Sequence, residues 1–374
     1  MNLIFENDRL FKRNRQCTLS FLVKNALLLL IVLNYACKIE TLPDNCNISV
    51  NIVEDNKDVH NIHDPTIIKE GDTYYLYSSS KYCTFYTSKD MKDWKKSGTV
   101  FKNKYPTWLT DYLPNADHIG APDIKYYNGN YVLFYQSHMG GTCNSVIGFA
   151  TNKTLDPQSP NYKWIDHGPV IKSKQIGPYG IINCGDGRLT YNAIDPHLFI
   201  DNDNTPWLSF GSTWGGIKLV KLQALSLKEG FLKIPQKEPY NYMTLAKRNI
   251  VSEADPVLEA SYIVYRSGYY YLFMSHNKCC PGETSKYKIM VGRSARIEGP
   301  YVDKSGGQLL FGEGSLVIDR DGKYIGTGHA DVFYENNSHY LVHHAYDSEN
   351  NYVPVLNIRK LKWDSEGWPT ICIQ

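Results

Sequence analysis

Three carboxylates and one imidazole draw attention because each opens a similar stretch of chain. Asp64, Asp195, Glu259 and His329 recur at intervals of roughly 60 to 75 residues, with Ala121 filling the remaining copy. Taken singly, an Asp before Pro is ordinarily a turn or capping residue. Four polar groups at one repeat position are harder to explain that way. Carboxylates brought close together oppose one another's ionisation, so one holds its proton near neutral pH while a better hydrogen-bonded one stays charged. Such a pair supplies the acid and base that glycosidic hydrolysis requires, the acid protonating the leaving oxygen and the base deprotonating a water on the opposite face. A third carboxylate tunes the acid. Trp108, Trp214 and Tyr191 stand in loops able to ring a cleft around these groups, and sugar rings lay their apolar faces on such side chains.

The elements that must position these groups repeat with them. Asp64-Pro65 leads a strand that turns at Gly71 into 74–77, and Ala121-Pro122 one that turns at Asn128-Gly129 into 131–135. Asp195-Pro196 turns through 201–204 into 207–210, Glu259-Ala260 turns at Ser267-Gly268 into 270–273, and His329-Ala330 turns at Asn336-Asn337 into 340–344. Each copy is a β-hairpin by pattern and turn chemistry, and its second strand ends in small polar residues. A unit of about 66 residues holds a four-stranded antiparallel sheet that cannot bury both faces alone. Radial packing solves that problem, so the expected fold is all-β, a five-bladed β-propeller, in preference to an array of β-sandwiches. The innermost strand of each blade lines the axis, which brings equivalent residues together from distant parts of the chain.

Composition agrees. The 29 Tyr, 7 Trp, 28 Gly and 18 Pro among 374 residues favour short strands and turns over helical bundles. Lys+Arg 40 against Asp+Glu 38 leaves a net charge of +2, so no nucleic-acid footprint is expected. No obligate protein partner is expected either. Residues 1–36 read as a signal peptide: Arg9, Lys12, Arg13 and Arg15 precede an apolar stretch whose unbroken core, 26–33, is far shorter than the roughly 20 residues that span a bilayer. Secretion follows, with a retained membrane anchor as the alternative. Residues 37–58 read as a linker and lead-in, and 59–374 as the propeller. Of the nine cysteines, Cys279 and Cys280 are neighbours, for which the geometric demands of a disulfide favour buried thiols or separate partners. Asn47, Asn152 and Asn336 begin glycosylation sequons. His343-His344 lies within a strand, its side chains on opposite faces, and reads as structural. The run 201–204 is a turn, not a calcium loop, and no P-loop, GxGxxG, HExxH or GxSxG occurs.

At these residues the chain resembles a known family. His63-Asp64-Pro65, Asn192-Ala193-Ile194-Asp195-Pro196, Phe210-Gly211-Ser212-Thr213-Trp214-Gly215-Gly216, Leu258-Glu259-Ala260 and Cys279-Cys280-Pro281-Gly282 resemble glycoside hydrolase family 43, and within it the endo-1,5-α-L-arabinanases. The likeness runs from about Val59 to Gly367-Trp368-Pro369 near the carboxyl end. It implies a five-bladed propeller and an inverting hydrolase of α-1,5-L-arabinofuranosyl bonds in arabinan or arabino-oligosaccharides. By position, Asp64 matches the general base, Glu259 the general acid, and Asp195 the residue that orients the acid and raises its pKa. His329 matches a histidine associated with an axial, largely water-coordinated calcium, and no organic cofactor is implied. Asn192, Ser212 and Trp214 fall in stretches that approach the substrate. The alternatives are an exo-acting α-L-arabinofuranosidase or β-xylosidase on the same scaffold, and a non-catalytic carbohydrate-binding propeller. Two departures stand out: Gly120-Ala121-Pro122-Asp123 where relatives carry Trp-Ala-Pro-Asp, and Glu259-Ala260-Ser261 where they carry Glu-Ala-Pro.

Overall fold

A computed structural model describes residues 59–173, 191–224, 232–233, 242–248 and 254–371. All belong to the larger of the two units into which the chain divides, 46–374. The leader at 1–36, the lead-in at 37–58, Asn47 and the cysteines at 17, 37, 46, 184 and 372 lie outside the described residues. Among the described residues no helix is long and apolar enough to cross a membrane.

Five antiparallel sheets form the five blades of a β-propeller, each from one unbroken stretch of chain. Blade 1 comprises Thr66–Glu70, Thr73–Ser78, Thr84–Ser88 and Lys95–Thr99, and blade 2 comprises Gly120–Tyr127, Asn130–His138, Ser145–Asn152 and Ile165–Ser173. Blade 3 runs through His197–Ile200, Pro206–Phe210, Ile217–Lys221 and Met243–Ala246. Blade 4 runs through Leu258–Arg266, Tyr269–His276, Lys288–Ser294 and Ser315–Ile318. Blade 5 adds a short strand, Arg320–Asp321, to Tyr324–Glu335, Ser338–Asp347, Val353–Trp363 and Pro369–Ile371. One helix, Thr107–Tyr112, joins blade 1 to blade 2. The first two strands of each blade form the hairpins read from the repeat. Left-handed φ at Asn128-Gly129, Ser267-Gly268 and Asn336-Asn337 matches the two-residue turns their sequences favour.

The aromatic second strands owe their unbroken apolar character to having both faces covered. Successive side chains point to opposite faces, and here the opposite faces meet different blades. Tyr74 and Leu76 pack with Val342 and Leu356 of blade 5. Tyr75 and Tyr77 pack with Leu133 and Tyr135 of blade 2. Val132 and Phe134 join Leu208 and Phe210 of blade 3. Leu272 and Met274 join Ile217 and Leu219 of blade 3, while Tyr271 and Phe273 join Val332 and Leu341 of blade 5. The core is therefore five separate interfaces between neighbouring sheets.

A second device fixes the blades near the axis. Asp64, Ala121, Asp195, Ala260 and His329 all adopt left-handed φ, between 41° and 57°. In blades 2, 4 and 5 this residue lies where the register between the first two strands shifts. The bulge frees the residue's N–H from its own sheet and turns it toward the preceding blade. Asp64 N–H donates to His344 Nδ1 at 3.2 Å, Ala121 N–H to Ser79 Oγ at 2.8 Å, and Asp195 N–H to Gln136 Oε1 at 2.7 Å. His329 N–H donates to Ser275 Oγ at 2.9 Å. The acceptors stand at the ends of the second strands. Blade 3 has Gly211 there, so Ala260 N–H donates instead to Asp195 Oδ2 at 3.0 Å.

This geometry corrects the repeat alignment in blade 4. The residue equivalent to Asp64, Ala121, Asp195 and His329 is Ala260, not Glu259. Glu259 occupies the preceding position, with His63, Gly120, Ile194 and Gly328. Counting seven residues back from the first turn residue, Gly71, Asn128, Ser267 or Asn336, reaches Asp64, Ala121, Ala260 and His329 and was the signal available in the sequence.

Candidate active site

Both positions face one end of the axis, where a cavity of about 550 Å³ is lined by Asp64, Asp195, Glu259 and His329 together with Asn192, Ser212 and Trp214. Seven of the nine residues singled out from the sequence thus border one pit. Trp108 and Tyr191 do not. Trp108 lies on the short helix at the outer edge, and Tyr191 is buried between blades 2 and 3 against Phe210 and Tyr242.

The carboxylates sit in opposed environments. Asp64 Oδ1 faces His329 Nδ1 at 3.1 Å and His344 Nδ1 at 3.7 Å, and Oδ2 accepts from Ser79 Oγ. Burial pushes its pKa upward, but the His329 charge and hydrogen bond, with His344 and His63, outweigh it and hold Asp64 well below the usual carboxylate range. Burial likewise opposes charge on His329, yet Asp64, then Asp195 and Glu259, raise that imidazole to about 9. It is an imidazolium at neutral pH.

Glu259 lies the other way. Burial, reinforced by the charge of Asp195, raises its pKa to about 8 against the partial opposition of a hydrogen bond from Tyr287 Oη to Oε1 at 2.9 Å. Ser212 Oγ lies 3.4 Å from Oε2. Asp195 is raised as well, chiefly by burial, and less than Glu259 because His329 and the Ala260 N–H favour its charged form. One pit therefore holds a protonated carboxylic acid and an ionised carboxylate at the same pH, the separation that acid and base chemistry needs.

Several residues that contact the carboxylates or border the pit escaped the sequence reading. His344, read as structural, reaches Asp64 from within the protein while its neighbour His343 turns to the other face, and both are buried; alternation along the strand was right but its consequence was missed. Ser79, Gln136 and His344 carried a signal, since each stands at or near the end of the second strand of its repeat. Tyr287 carried none, because only the folded chain brings it to Glu259. His118 and His138, with Nε2 and Nδ1 3.2 Å apart, border the pit beside Gly120. A Cβ at position 120 would lie 3.1 Å from the His118 ring.

Cys279 and Cys280 are joined to each other, contrary to the expectation from disulfide geometry, and the pair lines the pit with Cys279 Sγ 3.5 Å from Tyr346 Oη and 3.7 Å from His344 Nε2. Cys83 is free and buried, and Cys143 is disulfide-bonded. The Asn152 sequon is unsuited to modification because that side chain is buried, whereas Asn336 is exposed.

Residues 59–369 match the family model described as "Glycosyl hydrolases family 43", a span that takes in all five blades. The chain belongs to glycosyl hydrolase family 43. It is 38% identical over 317 residues to the extracellular exo-α-(1→5)-L-arabinofuranosidase ArbA of Cellvibrio japonicus, covering 83% of this chain and 86% of that one. It is also 38% identical over 315 residues to the extracellular endo-α-(1→5)-L-arabinanase 1 of Bacillus subtilis, covering 83% and 87%. Among solved structures, the Cellvibrio cellulosa α-L-arabinanase complexed with arabinohexaose superposes with a TM-score of 0.73 at 37% identity, over 84% of this chain and 96% of that one. The vicinal cysteines and the three carboxylates of this family 43 chain therefore border one cavity.

The raised pKa of Glu259 has a thermodynamic consequence. A carboxyl that binds its proton more tightly when folded contributes stability fully present below its unfolded value, about 4.5, and lost as pH rises through about 8. Glu259→Gln keeps a neutral side chain at every pH. Its stability gain over the unaltered protein is expected to grow from near zero at pH 5 to on the order of 1–3 kcal/mol at pH 9. Parallel thermal denaturation curves across that range would contradict the assignment.

Proposed function

We propose that this family 43 chain is a secreted arabinan hydrolase that cleaves α-1,5-linked L-arabinofuranosyl bonds with inversion, and that it attacks the chain internally. The observation carrying this reading is the opposed proton affinity of Glu259 and Asp64 within one pit. Asp64, held ionised by His329, takes a proton from water as the oxygen bonds to the anomeric carbon. Glu259 gives its proton to the departing glycosidic oxygen as that C–O bond breaks, and both groups then return to their starting states through solvent. Asp195 keeps Glu259 protonated by its charge, and through Oδ2 it fixes the backbone of Ala260 beside the acid. Asn192, held by Ser145 at 2.6 Å, and Trp214 border the sugar path, with Ser212 beside the acid. Internal attack is supported by pit walls drawn from loops of four blades, at Lys81, Thr142, Trp214 and Lys278, which leave room for chain on more than one side of the carboxylates.

Exo action is the second reading, favoured by the equal similarity to the Cellvibrio exo enzyme. The extracellular names of the relatives support a secreted placement. Calcium belongs to the same proposal. Nδ1 of His329 is engaged by Asp64, so an ion would be held only by Nε2, after displacing the proton that makes the ring an imidazolium, and otherwise by water, a sparse shell for an oxygen-seeking cation. If bound there, an ion would be held by His329 Nε2 and would supply positive charge beside the carboxylates.

A product time course on linear arabinan is expected to show mixed oligomers from the outset. Arabinose or arabinobiose alone would assign exo action instead. Glu259→Gln is expected to lower kcat by about 10³-fold or more on arabinan, with marked recovery on substrates whose leaving group needs no proton. Absence of activity in both forms points to a binding propeller. The kcat/KM profile is expected to fall on the alkaline side near pH 8, as Glu259 loses its proton. Chelation is expected to lower activity reversibly; unchanged activity after metal removal would assign the positive charge to the His329 imidazolium alone.

A further inference from the structure

A second cavity, at about 640 Å³ larger than the catalytic pit, opens at the outer edge between blades 1 and 2 and shares no lining residue with it. Its walls come from the segment leading into the short helix and from the approach to the outermost strand of blade 2, Ile165–Ser173. The lining is aromatic: Tyr105, Trp108, Tyr162 and Trp164. Their polar ends are ordered from below. Trp108 Nε1 donates to Asp166 Oδ2 at 2.6 Å, Tyr135 donates to the other oxygen of Asp166, and Trp164 Nε1 donates to Tyr162 Oη at 3.2 Å. Tyr105 Oη is buried and has no hydrogen-bond partner among the described residues. At the rim stand Lys102, Lys104 and Lys163, all exposed and none paired with a carboxylate among the described residues.

We propose that this cavity binds an acidic glycan, one whose sugar units carry carboxylates. Indole and phenol rings offer flat apolar faces to the C–H faces of sugars, and the two indoles are held in place by the hydrogen bonds their N–H groups donate. Three ammonium groups ring the opening, while the only carboxylate of the cavity has both oxygens occupied by Trp108 and Tyr135. A neutral polymer would use the aromatic walls and leave the lysines idle. A uronate-bearing chain uses both. The site binds without reacting, since its one carboxylate is tied to two donors and no second acid or base faces it. It therefore stands independently of the catalytic reading.

The test is retardation of the full chain, in the Glu259→Gln background, in native gels containing polygalacturonate, linear arabinan or polyglutamate at low ionic strength. Polygalacturonate is expected to retard it, added salt to weaken the effect, and Lys102→Gln/Lys104→Gln/Lys163→Gln and, separately, Trp164→Ala to reduce affinity about tenfold each. The surface lysine variant leaves the packed walls untouched and so guards against loss of fold in the tryptophan variant. Retardation by arabinan, which engages the catalytic pit, is expected to be unaltered in both. The proposal falls if polygalacturonate does not retard the protein, or if the lysine variant binds it as the parent does. It falls equally if arabinan retardation drops in step, which would mark a neutral-glycan site, or if polyglutamate binds as well and Trp164→Ala has no effect.

Discussion

The architecture depends on a ring of five backbone N–H groups near the propeller axis, each donated across a blade boundary. Left-handed φ at a residue with a side chain is sparsely populated and costs of order 1 kcal/mol. Five such residues persist here because each N–H finds an acceptor on the neighbouring sheet. The left-handed residue that turns its N–H across the boundary stands at the pit with its predecessor, as His63 with Asp64 and Ile194 with Asp195. Functional side chains and structural bonds are thus products of one local distortion. Where the acceptor is missing, at Gly211, Asp195 serves both purposes.

Charge in the pit follows from this placement. Burial alone would favour the neutral form of every carboxyl, and Asp64, Asp195 and Glu259 would be interchangeable. The cross-blade contacts separate them: His329 and His344 of blade 5 converge on Asp64 of blade 1, whereas Glu259 meets hydroxyl groups from Tyr287 and Ser212 and the charge of Asp195. A phenol or hydroxyl bonds to either state of a carboxyl, while an imidazolium stabilises only the ionised one. The acid and the base differ because of what the neighbouring blade presents to each.

Much of this was legible from the chain. Hairpin turns, the repeat and the convergence of Asp64, Asp195, Glu259 and His329 all follow from period-2 strands whose two faces must be covered. The alignment failed by one residue in blade 4 because it was anchored on small residues, taking Ala260 as the counterpart of Pro65, although a bulge makes distance from the turn the better ruler. Trp108 and Tyr191 were misplaced for a related reason, since an aromatic in a loop serves a rim, an outer wall or an interface depending on contacts that spacing does not encode. The bond between Cys279 and Cys280 depends on a backbone turn, with Cys280 at φ 79°, that no local propensity announces.

Each blade is one continuous stretch, so no strand is exchanged between the first sheet and the last. Their seam is closed by an isolated bridge between His60 and Val355, the Ile62 to Pro354 backbone bond, and side chains such as Asp331 and Glu335 of blade 5 reaching Ile67, Lys69 and Tyr74. The catalytic candidate Asp64 sits on one lip of that seam, and His329, the imidazolium that keeps it ionised, sits on the other with His344, which accepts the Asp64 N–H. Warming that parts the lips by a small amount strips Asp64 of its counter-charge, the His329 imidazolium, while every sheet is still intact. Loss of turnover is accordingly set to run ahead of loss of β-structure, and a brace laid across this one boundary guards the chemistry more than the same brace laid across any of the other four.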